Sequence, residues 1–223
     1  MITQSRLSAL SLALLLAATL GSPAARAAGS APLDPEVLHL QTSWDSLKFS
    51  LPAGDEQTKR MNALGEEADA VAARHPNSAD ALIWDGIITS ERAAMANPLS
   101  ALGLAKRARD ILDKADRLDA AALDAGAPTS LAVLYYRVPS FPFAFGDTAK
   151  ARSLFEQATK TAPNGLDAWY FYGDFLFSEK QYDKANEVLR HALTLPQHPD
   201  RALWDKNRRM EIQDLLTKVG YKR

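Results

Sequence analysis

The sequence predicts an all-α fold, a solenoid of about four helical hairpins ended by a C-terminal capping helix. Three observations carry that reading. Two stretches superimpose at an offset of 34 residues, so that Ala151, Phe155, Ala158 and Pro163 fall on Ala185, Leu189, Ala192 and the position after Pro196. The second copy is preceded by Trp169, Tyr172, Gly173 and Leu176 in the order Trp-x2-Tyr-Gly-x2-Leu, with Tyr182 following. In each second helix, residues three, four and seven apart share one face. Small alanines there admit a neighbouring helix, and Leu112, Phe155 and Leu189 fill the space that remains.

An offset of 34 residues is the tetratricopeptide period, and such a hairpin cannot bury its apolar face without stacking on its neighbours. Read in order, the hairpins are expected at 35–74, 79–118, 121–161 and 166–194 of a single domain over 35–219. The first carries a faint copy of the pattern, Leu64, Ala68, Val71 and Pro76. The second carries Ala108, Leu112 and Ala115, with Ala120 where proline would stand. Steps of 44 and 43 residues separate these copies from the regular ones, so the earlier hairpins have longer connections or longer first helices. Pro76 and Pro163 each close a second helix because proline lacks the donor needed to continue it. Asn77 with Ser78, and Asn164 with Gly165, suit the turn and cap of the helix that follows. The capping helix, about 200–219, has an apolar face of Ala202, Leu203, Met210, Ile212, Leu215 and Leu216. Its Arg208, Arg209, Lys218, Lys222 and Arg223 are expected on a wet face, with a basic patch for an anionic partner as the alternative.

The N-terminus reads as an export signal. Arg6 precedes an uncharged run from Leu7 to Leu20, and Gly21, Ser22, Pro23 and several alanines follow. Residues 1–27 are therefore read as a signal peptide cleaved after Ala27, with 28–34 as a short linker. The apolar run is shorter than the roughly 20 residues a spanning helix needs, so no stable membrane span is expected after signal removal. Loss of Arg6 and Arg26 leaves 24 basic and 27 acidic residues, a mildly acidic chain unsuited to nucleic acid. The chain has no cysteine, which excludes a disulfide scaffold and any lipid attached through cysteine. A periplasmic protein held together by its helical core is the expectation.

Between Tyr135 and Ala151 the repeat is interrupted. Pro139 falls where the register expects the helix-packing glycine, and Pro142 follows, so the first helix of the third hairpin should stop near Arg137. The ensuing loop carries Phe141, Phe143 and Phe145, three rings expected either to plug the solenoid or to line a cavity within it. Gly146 is expected to supply an unusual backbone angle and Asp147 to cap the next helix. Tyr136, Arg137, Phe141, Phe143 and Phe145 are thus the candidate ligand cavity, with Arg137 either solvated at a rim or held to meet a carboxylate.

The run from Leu134 to Asp147, Leu-Tyr-Tyr-Arg-Val-Pro-Ser-Phe-Pro-Phe-Ala-Phe-Gly-Asp, is followed by Lys150-Ala-Arg, Asn164-Gly-Leu-Asp and Tyr170-Phe-Tyr-Gly-Asp174. Over residues 125–195 the chain resembles bacterial envelope tetratricopeptide proteins related to the T component of TRAP transporter systems. The resemblance implies an all-helical periplasmic protein with an internal cavity or pore. It also implies association with the solute-binding subunit of a tripartite transporter for small organic or hydrophobic ligands. Proteins of that kind can be lipid-anchored through a cysteine, which this chain lacks.

The repeat geometry marks a second surface. Counting from Trp169, the concave face of the last hairpin is lined by Asp167, Tyr170, Asp174, Phe177 and Ser178; counting from Leu82, that of the second by Asp80, Ile83, Ile87, Ser90 and Glu91. The first set mixes aromatics and carboxylates as a peptide groove does, although Asp167 also suits a first helical turn. Trp44, Trp84 and Trp204 are read as packing residues. No catalytic or metal site and no cofactor are expected. His39, His75, His191 and His198 are far apart, Glu66, Glu67 and Asp69 read as a solvated face, and neither a nucleophile elbow nor a phosphate loop is present. Two functions follow: a scaffold whose concave groove holds another envelope protein, or a small-ligand carrier whose aromatic loop closes over a cavity between the second and third hairpins.

Overall fold

The computed structural model describes residues 32–222, so the signal peptide, its cleavage site after Ala27 and most of the linker lie outside the described residues. Helices α1 (Pro35–Ser50) and α2 (Asp55–Arg74) form the first hairpin, α3 (Ala79–Met95) and α4 (Pro98–Leu118) the second, α5 (Ala122–Arg137) and α6 (Thr148–Thr161) the third, and α7 (Leu166–Ser178) and α8 (Tyr182–Thr194) the fourth. A short 3-10 turn, Pro199–Arg201, leads into α9 (Ala202–Gly220). No strand occurs among the described residues, and the fold is the all-α solenoid of four hairpins plus a terminal helix that the repeat pattern predicts. None of these helices is long and apolar enough to cross a membrane.

Local chemistry sets the boundaries. Asp34, Ser78, Asn97 and Asp147 cap α1, α3, α4 and α6 by accepting from backbone amides of the first turn. Within the hairpins the small-residue faces allow close approach. A Cβ on Gly173 would stand 2.4 Å from Leu189, and one on Gly86 would stand 2.5 Å from Leu112, so the two repeats use the same glycine–leucine contact. Ala108, Ala151, Ala158, Ala185 and Ala192 are fully buried beside it.

Hairpin three departs in two places. Leu123, Asp124 and Ala125 have φ of 50, 54 and 59°, a left-handed turn that costs non-glycine residues roughly 1–2 kcal/mol each. The right-handed helix resumes at Gly126, which puts Pro128 in its first turn, where its missing N–H costs nothing. At the other end α5 stops at Arg137, so Pro139 lies in the connecting loop and does not occupy the glycine position of the repeat. The physical reason is length: the loop runs over 138–147, whereas α7 and α8 are joined by 179–181, and the whole first helix is displaced toward the N-terminus.

The last helix caps the stack and keeps one wet face, which includes Lys206, Gln213, Asp214 and Lys218, but its dry face is larger than expected. It packs on α8, α7 and also α1, crossing the concave side from the last hairpin back to the first. Its buried stripe is Trp204, Arg208, Ile212, Leu215 and Val219, a spacing of four, four, three and four that keeps one face. Leu203 and Met210, expected on the apolar face, are 40% and 50% exposed, while Arg208, expected in solvent, is 3% exposed.

Candidate functional site

Closure by α9 turns the concave groove into a chamber of about 260 Å³. Its wall draws on every first helix: Trp44 and Lys48 of α1, Trp84, Ile87, Ser90 and Glu91 of α3, Leu123, Asp124, Thr129 and Arg137 of α5, and Asp167, Tyr170 and Phe171 of α7. Arg201, Trp204, Arg208 and Glu211 complete it from the C-terminal segment. The strained turn of α5 thus brings Leu123 and Asp124 to the wall, the kind of place where backbone strain persists because surrounding contacts over-determine it.

Ion pairs hold the ring closed. Arg201 donates from Nε and Nη2 to the two oxygens of Asp45, at 2.9 and 2.5 Å, across 156 residues of sequence. Its guanidinium also lies 4.3 Å from the Trp204 ring centre and 5.4 Å from that of Trp84. Arg208 donates to Asp167 at 2.6 Å and to Glu211, with its guanidinium 4.5 and 4.8 Å from the rings of Tyr170 and Phe171. Burial works against the charge on Arg208, but Asp167 and Glu211 outweigh it and its pKa is raised. Burial, before the opposing effect of Arg201, raises the pKa of Asp45. Arg209 donates to the carbonyls of Leu193, Leu195 and Pro196, satisfying groups at the end of α8, and pairs with Asp205 at 2.8 Å.

Three residues that contribute to this wall each carry a polar atom that is closed to solvent and has no hydrogen-bond partner among the described residues: the indole nitrogens of Trp44 and Trp84 and the hydroxyl of Thr129. These residues are only 5%, 3% and 3% exposed. An unmade bond at such a site costs roughly 1–3 kcal/mol.

The residues singled out in the sequence divide between places. Asp167 and Tyr170 line the chamber, and burial pushes the Tyr170 phenol up to about 12. Asp174 accepts from Arg137 at 2.7 Å and from the Tyr136 hydroxyl, joining the two sequence-derived sets in one network. Burial, then the Asp174 carboxylate, holds the Tyr136 phenol well above its ordinary value. Phe177 packs on Tyr182 at 5.5 Å, and Ser178 bonds the Phe175 carbonyl of its own helix. From the second hairpin Ile83, Ile87, Ser90 and Glu91 face the chamber, whereas Asp80 does not.

The aromatic loop requires correction. Phe141 and Phe143 are 89% and 81% exposed, so they neither plug the solenoid nor line a cavity. Short bonds inside the loop, from Gly146 N–H to Pro139 O at 2.9 Å and Phe143 N–H to Ser140 O at 3.1 Å, curl it outward. Phe145 turns in against Tyr135, with Arg109 4.7 Å from its ring, and Tyr136 packs among Phe155 and Phe175; none of the three faces the chamber. Gly146 is needed for space rather than for an unusual angle, since a Cβ there would stand 2.0 Å from the Val138 carbonyl. Arg137 is at the chamber's edge and already engaged by Asp174 and Tyr136, which removes it as a free anion receptor. The cavity lies on the concave side under α9, not beneath this loop.

Sequence reasoning weighs Trp44, Trp84 and Trp204 only as packing, and passes over Asp45, Thr129 and Arg201. The four-residue spacing of Trp204 and Arg208 is visible in the sequence, but nothing there pairs Arg201 with a residue 156 positions away. Asp34, Glu36 and His75 also come together, within 4.8 Å of one another, with Glu36 engaged by Arg74 and His75.

Comparison with known proteins agrees with the fold. Residues 143–206 match the model of the tetratricopeptide repeat family, TPR_19. TTC0263, a thermophilic TPR protein of Thermus thermophilus, superimposes with a TM-score of 0.59 at 17% identity, covering 83% of each chain. MamA gives a TM-score of 0.44, also at 17% identity, over 84% of this chain and 91% of that one. No curated protein matches the sequence. The chain is a helical-repeat protein with the tetratricopeptide fold.

Proposed function

We propose that this is a non-enzymatic, secreted helical-repeat protein of the cell envelope that encloses a small organic ligand in the chamber beneath α9. One observation carries the reading: the groove that an open solenoid would offer to a peptide is roofed by the chain's own helix, yet about 260 Å³ remains inside, walled by Trp44, Trp84, Tyr170 and Trp204 together with paired charged side chains. Concave ligand sites combine apolar walls with a few placed polar groups in this way. Association with the solute-binding subunit of a tripartite transporter fits this role and rests on the family resemblance. Native mass spectrometry of protein purified without denaturation should show one small-molecule adduct, lost in Arg201→Ala, which opens the ring. A bare polypeptide from both forms would count against the enclosed ligand. Intact mass should place the mature N-terminus at Ala28.

A protein-interaction scaffold is the second reading, favoured by the repeat fold and by exposed Phe141 and Phe143. Asp167 and Tyr170 already grip a helix in the way a scaffold grips a partner, but that helix is α9. An envelope partner would therefore displace α9 or use the outer surface. Replacing Phe141 and Phe143 by serine should weaken capture of the partner while leaving the ligand adduct intact.

A further inference from the structure

We infer that the chamber takes a small organic cation, an ammonium carried on a ring-sized apolar body, in preference to neutral or anionic molecules of the same shape. The inference rests on the enclosed-ligand reading above, and the balance of charge around the wall carries it.

Every cation on the wall is already met. Lys48 bonds both oxygens of Glu91 at 3.0 Å, Arg137 is held by Asp174 at 2.7 Å, Arg201 by both oxygens of Asp45, and Arg208 by Asp167 and Glu211 together. Asp124, exposed on the same wall, has no ion-pair partner among the described residues. Six carboxylates, those of Glu91, Asp174, Asp45, Asp167, Glu211 and Asp124, thus stand against four cations. A carboxylate entering the chamber would have to draw Lys48 from Glu91 or Arg137 from Asp174, and either exchange would strand the carboxylate left behind. An ammonium displaces nothing.

Part of the surplus lies where α7 meets α9. One guanidinium serves two carboxylates there: Arg208 bonds Asp167 through Oδ1 and Glu211 through Oε2, while Asp167 Oδ2 and Glu211 Oε1 accept from no donor among the described residues. Exposure follows the same division, since the Arg208 side chain is 4% exposed and those of Asp167 and Glu211 are 37% and 36%. The positive group is sealed against the rings of Tyr170 and Phe171, and the negative ones stay open. An ionised carboxylate accepts at both oxygens, so each retains capacity for an ammonium N–H. Aromatic rings, which make up much of the remaining wall, favour a cation over an anion as well. The size is intermediate: about 260 Å³ exceeds the roughly 150 Å³ that holds benzene and falls short of a drug-sized site.

Three probes of nearly equal shape separate the cases: benzylamine, protonated near neutral pH, benzyl alcohol without charge, and benzoate with a negative one. Calorimetric titration of the full chain should find benzylamine on the order of tenfold tighter than benzyl alcohol, with benzoate weakest. Glu211→Gln and Asp124→Asn each remove one negative charge while keeping shape, and asparagine tolerates the left-handed backbone at 124 as aspartate does. Each should weaken benzylamine about fivefold and leave benzyl alcohol unchanged. Benzyl alcohol or benzoate binding as tightly as benzylamine, or a benzylamine affinity that neither substitution lowers, would overturn the inference while leaving an enclosed site standing. If none of the three binds at millimolar concentration, the enclosed-ligand reading fails and this inference falls with it.

Discussion

The C-terminal helix and the proline–phenylalanine loop exchange the roles that their compositions suggest. The helix and the turn before it are rich in charge, yet they deliver Arg208 and the Arg201 side chain to the interior; the loop is rich in aromatics, yet it leaves Phe141 and Phe143 in water. Partners decide the difference. Each buried guanidinium finds a carboxylate and a ring face, so charge and stem are both accommodated. The loop spends its backbone groups on internal bonds that curl it away from the helices, and only Phe145 reaches a neighbouring ring.

The strongest way to break this contrast is Arg201→Ala. It leaves the Asp45 carboxylate, 8% exposed at its side chain, without a counter-charge, and should cost about 3–5 kcal/mol in urea unfolding. Replacing Asp45 and Arg201 together by alanine should recover part of that loss. A double variant as unstable as the single one would show that the pair's charge is not the issue.

Asp85 sharpens the point, because it is buried like Asp45 but is met by the Thr89 hydroxyl where Asp45 has a guanidinium. Burial, then the nearby Asp69 carboxylate, pushes its pKa up to about 6. The folded state therefore holds this proton more tightly than the unfolded chain does. The stability so gained is complete below about pH 4 and is lost as pH rises through 6. Asp85→Asn should stabilise the protein by about 2 kcal/mol near neutral pH, with the difference from wild type vanishing by about pH 4 in paired thermal melts.

Thr129→Val removes a buried orphaned hydroxyl and should raise the stability of the protein by about 1 kcal/mol, read as a higher urea midpoint. The smallest effect belongs to the loop. Phe141→Ser and Phe143→Ser should each change stability by less than about 0.5 kcal/mol, since nothing is unburied. A loss of several kcal/mol there would mean that the rings are covered in solution.

By itself the sequence determined what depends on local and periodic chemistry. The 34-residue offset, the Ala-x3-Leu/Phe-x2-Ala faces and the glycine–leucine contacts act between adjacent helices, so period and residue size were enough to read the solenoid. Helix caps such as Asp147 were legible for the same reason, because donor and acceptor are three residues apart. The site was not legible. Tyr170 and Asp167 could be placed on the concave face by counting, but whether that face was open depended on where α9 went. Only the tertiary structure decided that, through the pairing of Arg201 with Asp45 and of Arg208 with Asp167. Contacts across such sequence separations arise from how the stacked hairpins curve, a sum of small rotations that no local pattern records.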